Sequence, residues 1–260
     1  MEVIVLAGES DRASVVADAV QQLLARKPRA VLGLATGSSP SPVYAELARR
    51  YARGALSFAQ AAAFTLDEYL GLPPGHPEGY RAVIEREFAS LVDLPADRLL
   101  TPDGQASDIV AACDAYEKAI EEAGGVDLQL LGIGTDGHLA FNEPGSSLGS
   151  RTRVKTLTPQ TRADNARFFA SPEEVPRHVL TQGLGTILDA RHLVLLATGE
   201  GKAPAVRAMV EGPVSAMCPA SVLQLHPHVS VILDPAAADL LTLRDYYAAV
   251  WRDKPEWQGI

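Results

Sequence analysis

Asp136, His138 and Glu143 stand close together in a stretch rich in Gly, Asn and Pro. An imidazole flanked by carboxylates can take and return a proton near neutral pH, because the acids orient the ring and raise its basicity. A loop histidine bonded to backbone is the competing reading, and two acids this near favour proton transfer. A basic stretch follows, with Arg151, Arg153, Lys155, Arg162 and Arg167 against one acid, Asp164. Proton chemistry beside positive charge suits an anionic substrate. A second acidic pair, Asp67-Glu68, stands upstream; it fits a base in a cleft and equally a helix cap or a solvated acid.

Other residues carry weaker signals. Thr36-Gly37-Ser38-Ser39-Pro40 follows an apolar run and opens a helical pattern. Free N–H groups at a helix start attract phosphate, although plain helix capping gives the same pattern. The segment is neither a Walker loop nor GxGxxG, which argues against a nucleotide-binding Rossmann domain. Lys202 sits at an expected helix start, where the dipole disfavours a cation and a bound anion would relieve the conflict. His226-Pro227-His228 resembles a metal pair, but Pro227 breaks a regular strand and no further ligand follows at metal spacing. His76, His178 and His192 read as loop, helix-surface and strand-start residues. No metal and no cofactor is expected.

These residues need a scaffold, and the chain supplies alternating strand and helix patterns. Strands are expected at Val3 to Ala7, Ala30 to Ala35, Ala61 to Leu66, Leu128 to Ile133, His192 to Ala197 and Val229 to Leu233. Helices are expected at Ala13 to Arg26, from the Thr36 turn to Arg50, Glu78 to Ser90, Ser107 to Ala123, Gln160 to Phe169, Arg177 to Leu188 and Gly201 to Glu211. A helical tail holds Tyr246, Tyr247 and Trp251. Such alternation predicts an α/β fold, a doubly wound, mostly parallel sheet with helices on both faces. Ligands of such sheets bind beyond the carboxyl ends of the strands, where Thr36, Asp67 and the 132–143 segment would all lie. Pro-rich residues 72–79 read as a surface loop or lid.

With 260 residues, 47% of them apolar, the chain suits a single domain over 1–260. The net charge of −9 argues against nucleic acid or anionic membrane as a partner. Cys113 and Cys218 have no metal spacing and read as reduced thiols. No signal peptide or membrane span is legible, so a cytoplasmic protein is expected.

FTLDEYLGLPPGHPEGY (64–80), GIGTDGHLAFNEPGSSLGSRTRVKTLT (132–158), TRADNARFF (161–169) and SVLQLHP (221–227) closely resemble the glucosamine-6-phosphate deaminase family; ATGSSPSPVYAEL (35–47) resembles its phosphate loop. The matches run in order from about residue 30 to 235. The resemblance implies a Rossmann-like sheet and conversion of glucosamine 6-phosphate to fructose 6-phosphate and ammonia in amino-sugar catabolism. It implies that His138 moves a proton in ring opening, with Asp136 and Glu143 tuning it, and that Asp67 shuttles the C2 proton to C1. Thr36, Gly37, Ser38, Arg167 and Lys202 would hold the 6-phosphate. Some members are hexamers activated by N-acetylglucosamine 6-phosphate, and Ser146, Arg153, Lys155 and Thr156 match their allosteric positions, which raises the expectation of a homo-oligomer. The chain departs from many members at Ser38-Ser39, at its N-terminus and in its C-terminal tail. Rival readings are a galactosamine 6-phosphate deaminase, a sugar-acid-phosphate lactonase and a catalytically silent sugar-phosphate sensor.

Overall fold

The computed structural model covers residues 1–260; the side chains of Gln160, Asp164 and Glu256 lie outside the described residues, Asp164 of the basic stretch among them. Strands β1 (Glu2–Val5), β2 (Val31–Leu34), β3 (Ala62–Thr65), β4 (Asp67–Tyr69), β5 (Leu99–Leu100), β6 (Leu128–Leu131), β7 (Arg153–Thr156), β8 (His178–Thr181), β9 (Leu193–Ala197) and β10 (Val229–Leu233) alternate with helices. These are α1 (Glu9–Arg26), α2 (Ser41–Ala52), α3 (Tyr80–Glu87), α4 (Ile109–Glu122), α5 (Pro159–Asn165), α6 (Leu184–Leu188), α7 (Ala203–Glu211) and α8 (Arg244–Arg252).

Seven strands form one parallel sheet in the order β1-β10-β9-β6-β2-β3-β5. The apolar runs explain it. β2, β6, β9 and β10 are buried along their whole length, as parallel strands covered on both faces must be. Their side chains alternate between two cores. Leu193, Leu195 and Ala197 face one core, with Tyr116 of α4, Ile187 of α6 and Val206 of α7. Val194 and Leu196 face the other, with Val16 of α1, Tyr44 of α2 and Ile84 of α3. The expected doubly wound α/β sheet is therefore present.

The order reverses between β2 and β6. From β2 the chain winds outward to β3 and β5; from β6 it winds the other way to β9 and β10. Such a switch point leaves a crevice at the carboxyl ends of the two central strands.

Several expected boundaries moved. Arg177 to Leu188 is not a helix: His178–Thr181 form β8, and only Leu184–Leu188 are helical. Gly183 separates the two, and its place admits no side chain, since a Cβ there would lie 2.0 Å from the Ser150 carbonyl oxygen. His178 is thus an exposed strand residue rather than a helix-surface one. Asp67 does not end the β3 run but begins β4, in a second sheet of order β4-β8-β7. β7 lies inside the basic stretch, where charged residues hid its alternation. The helix expected at Gln160 to Phe169 stops at Asn165 and tightens into a 3-10 turn, Ala166–Phe168.

At the amino edge of the main sheet, the histidines are structural. His192 stacks on His228 with ring centroids 3.7 Å apart, and its Nε2 lies 2.9 Å from Ser230 Oγ. The His226 ring nitrogens lie 2.9 and 2.7 Å from the His228 and Ala190 carbonyl oxygens. Burial, then the neighbouring His228 and His226, push His192 down to about 3. The unfolded chain therefore takes up a proton at an ordinary histidine pKa, about 6.5, that the folded chain refuses until far lower pH. This contribution to stability is full above about pH 6.5 and is lost as pH falls toward 3, at up to about 1.4 kcal/mol per pH unit. His192→Phe, which keeps a flat ring but cannot ionise, is expected to shrink the fall in urea midpoint between pH 7 and pH 4.5. An unchanged fall would place the acid sensitivity elsewhere.

Candidate active site

The chemistry-bearing residues converge on the switch point. The Thr36 loop leaves the carboxyl end of β2, Asp67 follows β3, the 132–143 segment leaves β6, and Lys202 lies in the 3-10 turn Glu200–Lys202 after β9. β9, β6, β2 and β3 are consecutive in the sheet, so all four segments sit along one edge.

Asp67 occupies a place where the chain changes sheets. Leu66 donates its N–H to the Leu34 carbonyl of the parallel sheet, and its own carbonyl accepts from Gln182 N beside the second sheet. Asp67 then pairs with Thr181 of β8. Only 6% of its surface is exposed, and among the described residues none donates a hydrogen bond to its carboxylate. Burial first, and the nearby Glu68 second, push its pKa well above the usual carboxylate range. A carboxylate so placed is a stronger base than one in water.

Glu68 does something different. It accepts hydrogen bonds from the backbone N–H groups of Tyr69 (2.8 Å), Tyr80 (2.9 Å) and Arg81 (3.0 Å). It thereby caps the start of α3 and is a structural residue. The two readings of the acidic pair are divided between its members.

Asp136, His138 and Glu143 come together as expected. His138 Nδ1 lies 2.7 Å from Asp136 Oδ1 and 3.7 Å from Glu143 Oε2. The short contact is bent away from a well-directed hydrogen bond, and Asp136 also accepts from the His138 backbone N–H at 3.2 Å. The His138 contact holds Asp136 well below the usual carboxylate range, whereas burial raises Glu143. Environments that push two carboxylates apart suit one to stay ionised and the other to exchange a proton. Thr161 of α5 donates to Glu143 Oε1 at 2.6 Å, an anchor with no signal in the sequence. One ligand atom from each of the three lies within 4.8 Å of the others, a set that could gather around a cation. The 2.7 Å separation of His138 Nδ1 from Asp136 Oδ1 is shorter than the roughly 3.3 Å between two ligands on one tetrahedral zinc.

Backbone conformation holds this loop. A Cβ on Gly134 would come within 2.3 Å of the His138 ring. Ala140 has a φ of 50°, the left-handed region that costs a residue other than glycine about 1 kcal/mol or more. Gly134→Ala is expected to displace the His138 ring and lower kcat about 100-fold, with circular dichroism unchanged. Full activity would show that the ring position does not matter.

The phosphate candidates are less tightly assembled. Gly37 has a φ of 104°, and Ser41 Oγ donates to its carbonyl at 2.9 Å, which closes the loop onto α2. Gly37 and Ser38 are exposed, Thr36 and Lys202 half-buried. Arg167 is exposed on the 157–177 excursion between β7 and β8, its guanidinium 4.7 Å from the Phe168 ring centre. No described contact joins Arg167 to the Thr36 loop. Of the other basic residues, Arg151 pairs with Glu117 and Asp189, and Arg162 donates to the carbonyls of Pro172 and Val175; both brace the fold. Loop 72–79 meets the excursion through His76 stacked on Phe169 at 5.8 Å.

Among the described residues, no helix is long and apolar enough to cross a membrane. Residues 9–232 match the family model described as glucosamine-6-phosphate isomerases/6-phosphogluconolactonase. The chain is 63% identical over 260 residues to the glucosamine-6-phosphate deaminase of Arthrobacter sp. (strain FB24), and 64% identical over 261 residues to that of Mycolicibacterium smegmatis (strain ATCC 700084 / mc(2)155), each alignment covering 100% of both chains. Among solved structures, a monomeric glucosamine-6-phosphate deaminase superposes with a TM-score of 0.89 at 42% identity, covering 92% of this chain and 100% of that one. A 6-phosphogluconolactonase from Trypanosoma brucei superposes with a TM-score of 0.76 at 20% identity over 93% of this chain and 98% of that one, which shows a shared fold. The full-length identities and the family match agree: this chain belongs to the glucosamine-6-phosphate isomerase/6-phosphogluconolactonase family.

Proposed function

We propose that this protein is a glucosamine-6-phosphate deaminase, converting glucosamine 6-phosphate and water to fructose 6-phosphate and ammonia. The observation that carries this reading is the buried Asp67, its basicity raised, placed along one sheet edge from the Asp136–His138–Glu143 cluster. Full-length identity above 60% to deaminases supports it.

Each residue then has a task. His138, steadied by Asp136 and Glu143, moves the proton that opens the pyranose ring. Asp67 removes the C2 proton and returns it to C1, so the aldose carbon is reduced as C2 is oxidised. Water adds at C2 and ammonia leaves. Thr36, Gly37 and Ser38, at the start of α2, offer N–H groups to the 6-phosphate. Lys202 adds a point charge, and Arg167 a bidentate fork when its excursion folds inward. The chain works as one domain in the cytoplasm, where its sugar-phosphate substrate is kept.

A second site is part of the proposal. Ser146 Oγ is buried without a hydrogen-bond partner among the described residues. Desolvation lowers the Arg153 pKa, and its guanidinium donates to the Arg151 carbonyl at 3.2 Å. By strand alternation Lys155 shares the Arg153 face of β7, and Thr156 lies on the other. These residues suit an anionic effector such as N-acetylglucosamine 6-phosphate, held in a homo-oligomer. Addition of that compound is expected to lower the half-saturating substrate concentration. A hyperbolic rate curve unmoved by it, or a monomeric mass by light scattering, would remove this part.

The function is tested by a substrate panel of glucosamine 6-phosphate, galactosamine 6-phosphate and 6-phosphogluconolactone. Ammonia release should favour the gluco epimer, with no lactone hydrolysis. Preference for the galacto epimer or the lactone would replace the reading with the corresponding rival.

A further inference from the structure

Beneath Asp67 lies a buried polar network whose members the reaction does not use directly. Gln182, 1% exposed, follows β8 and connects to both the Asp67 segment and the Asp136–His138–Glu143 loop. Its backbone N–H donates to the Leu66 carbonyl at 2.8 Å. Its side-chain Nε2 donates to the Thr65 carbonyl at 3.1 Å. Its own carbonyl accepts from Asn142 Nδ2 at 2.8 Å. Asn142 is fully buried, donates also to the Leu139 carbonyl at 3.0 Å, and stands between His138 and Glu143 in the chain.

The Thr65 carbonyl takes a second donor, the Tyr116 hydroxyl, at 2.5 Å. The Thr65 hydroxyl donates to the Asp67 carbonyl at 3.1 Å and contacts Thr101 Oγ1. All three carbonyls of the sheet-changing segment, 65, 66 and 67, are therefore held, two of them by Gln182.

A buried glutamine is costly unless its groups are paired. An apolar side chain after β8 would fill the same space and leave the Thr65 carbonyl to Tyr116. What the glutamine side chain adds is a second donor on the Thr65 carbonyl; the links to Leu66 and to Asn142 are made by the main chain of residue 182, so the side chain braces the Asp67 segment against the strand end already tied to the loop that carries His138 and Glu143. We propose that Gln182 is a positioning residue: its side-chain bond to the Thr65 carbonyl fixes the backbone carrying Asp67 against a strand end whose own main chain holds Leu66 and Asn142, and so holds Asp67 relative to the Asp136–His138–Glu143 loop. The proposal rests on the reading of Asp67 as the base.

Proton transfer is steep in donor–acceptor geometry, so a small misalignment of the base acts on the C2–H step before it acts on binding. Gln182→Met keeps volume and removes the side-chain donor. Expected are a kcat lowered about 10- to 100-fold, a KM for glucosamine 6-phosphate within about threefold, and a larger primary isotope effect with 2-deuterated substrate. Tyr116→Phe removes the other donor to the same carbonyl and is expected to shift the isotope effect in the same direction; it carries the test if Gln182→Met does not fold. A kcat loss with an unchanged isotope effect in the folded variant would mean a reduced active fraction, and would overturn the proposal. So would unchanged kcat in Gln182→Met beside an inactive Asp67→Asn. If Asp67→Asn itself turned over normally, the base assignment, rather than the positioning, would be what failed.

Discussion

Asp67→Asn is expected to lower kcat by about 10²- to 10⁴-fold while sugar-phosphate binding stays within a few-fold of wild type. The change removes one basic oxygen and little volume. The site is 6% exposed, and among the described residues no donor relies on the carboxylate, so no ion pair is broken. The fold should tolerate the amide, since burial already disfavours the charge it removes. The sign of the pH dependence follows. A base must be ionised, and the raised Asp67 pKa means that activity falls with acidification at a higher pH than an ordinary carboxylate would give. The acid limb of kcat/KM is therefore expected to lie above the usual carboxylate range. Turnover near the wild-type rate in Asp67→Asn would remove Asp67 from the mechanism.

His138→Gln is expected to cost about 10²- to 10³-fold on the cyclic substrate and much less on an open-chain analogue. The glutamine can fill part of the ring's space but cannot exchange a proton at Nδ1, the atom 2.7 Å from Asp136 and 3.7 Å from Glu143. Loss of the partner also releases Asp136, whose pKa is held down first by His138. Stopped-flow rates on both substrates check this. Equal losses would move His138 from ring opening to a later step.

The parts of this molecule that were legible in the sequence share a physical cause. The buried parallel strands announce themselves as apolar runs, because both faces are covered, and the loops after β2 and β6 carry Gly and Pro where the chain must turn. Asp136, His138 and Glu143 lie close in sequence, so their meeting needed only one loop. The resemblance of residues 64–80 and 132–169 to one family added roles that spacing alone did not assign.

What stayed hidden depends on long-range contacts. The second sheet pairs Asp67 with Thr181 and Arg153 with Thr181, separations that no local periodicity reports. The charged alternation of β7 reads as a solvated stretch, and β5 is only two residues long. The division of labour between Asp67 and Glu68 was equally closed to sequence, since it turns on which carboxylate meets the N–H groups of Tyr80 and Arg81. Thr161 on Glu143 and Gln182 on Thr65 are ordinary polar residues until the fold brings them to their partners.

Measuring both products at once from glucosamine 6-phosphate and the purified wild-type protein tests the deaminase reaction itself. Ammonia and fructose 6-phosphate are expected in equal amounts. Saturable binding of the sugar phosphate with neither product released would rule out a deaminase and leave a sensor that keeps the pocket without the reaction.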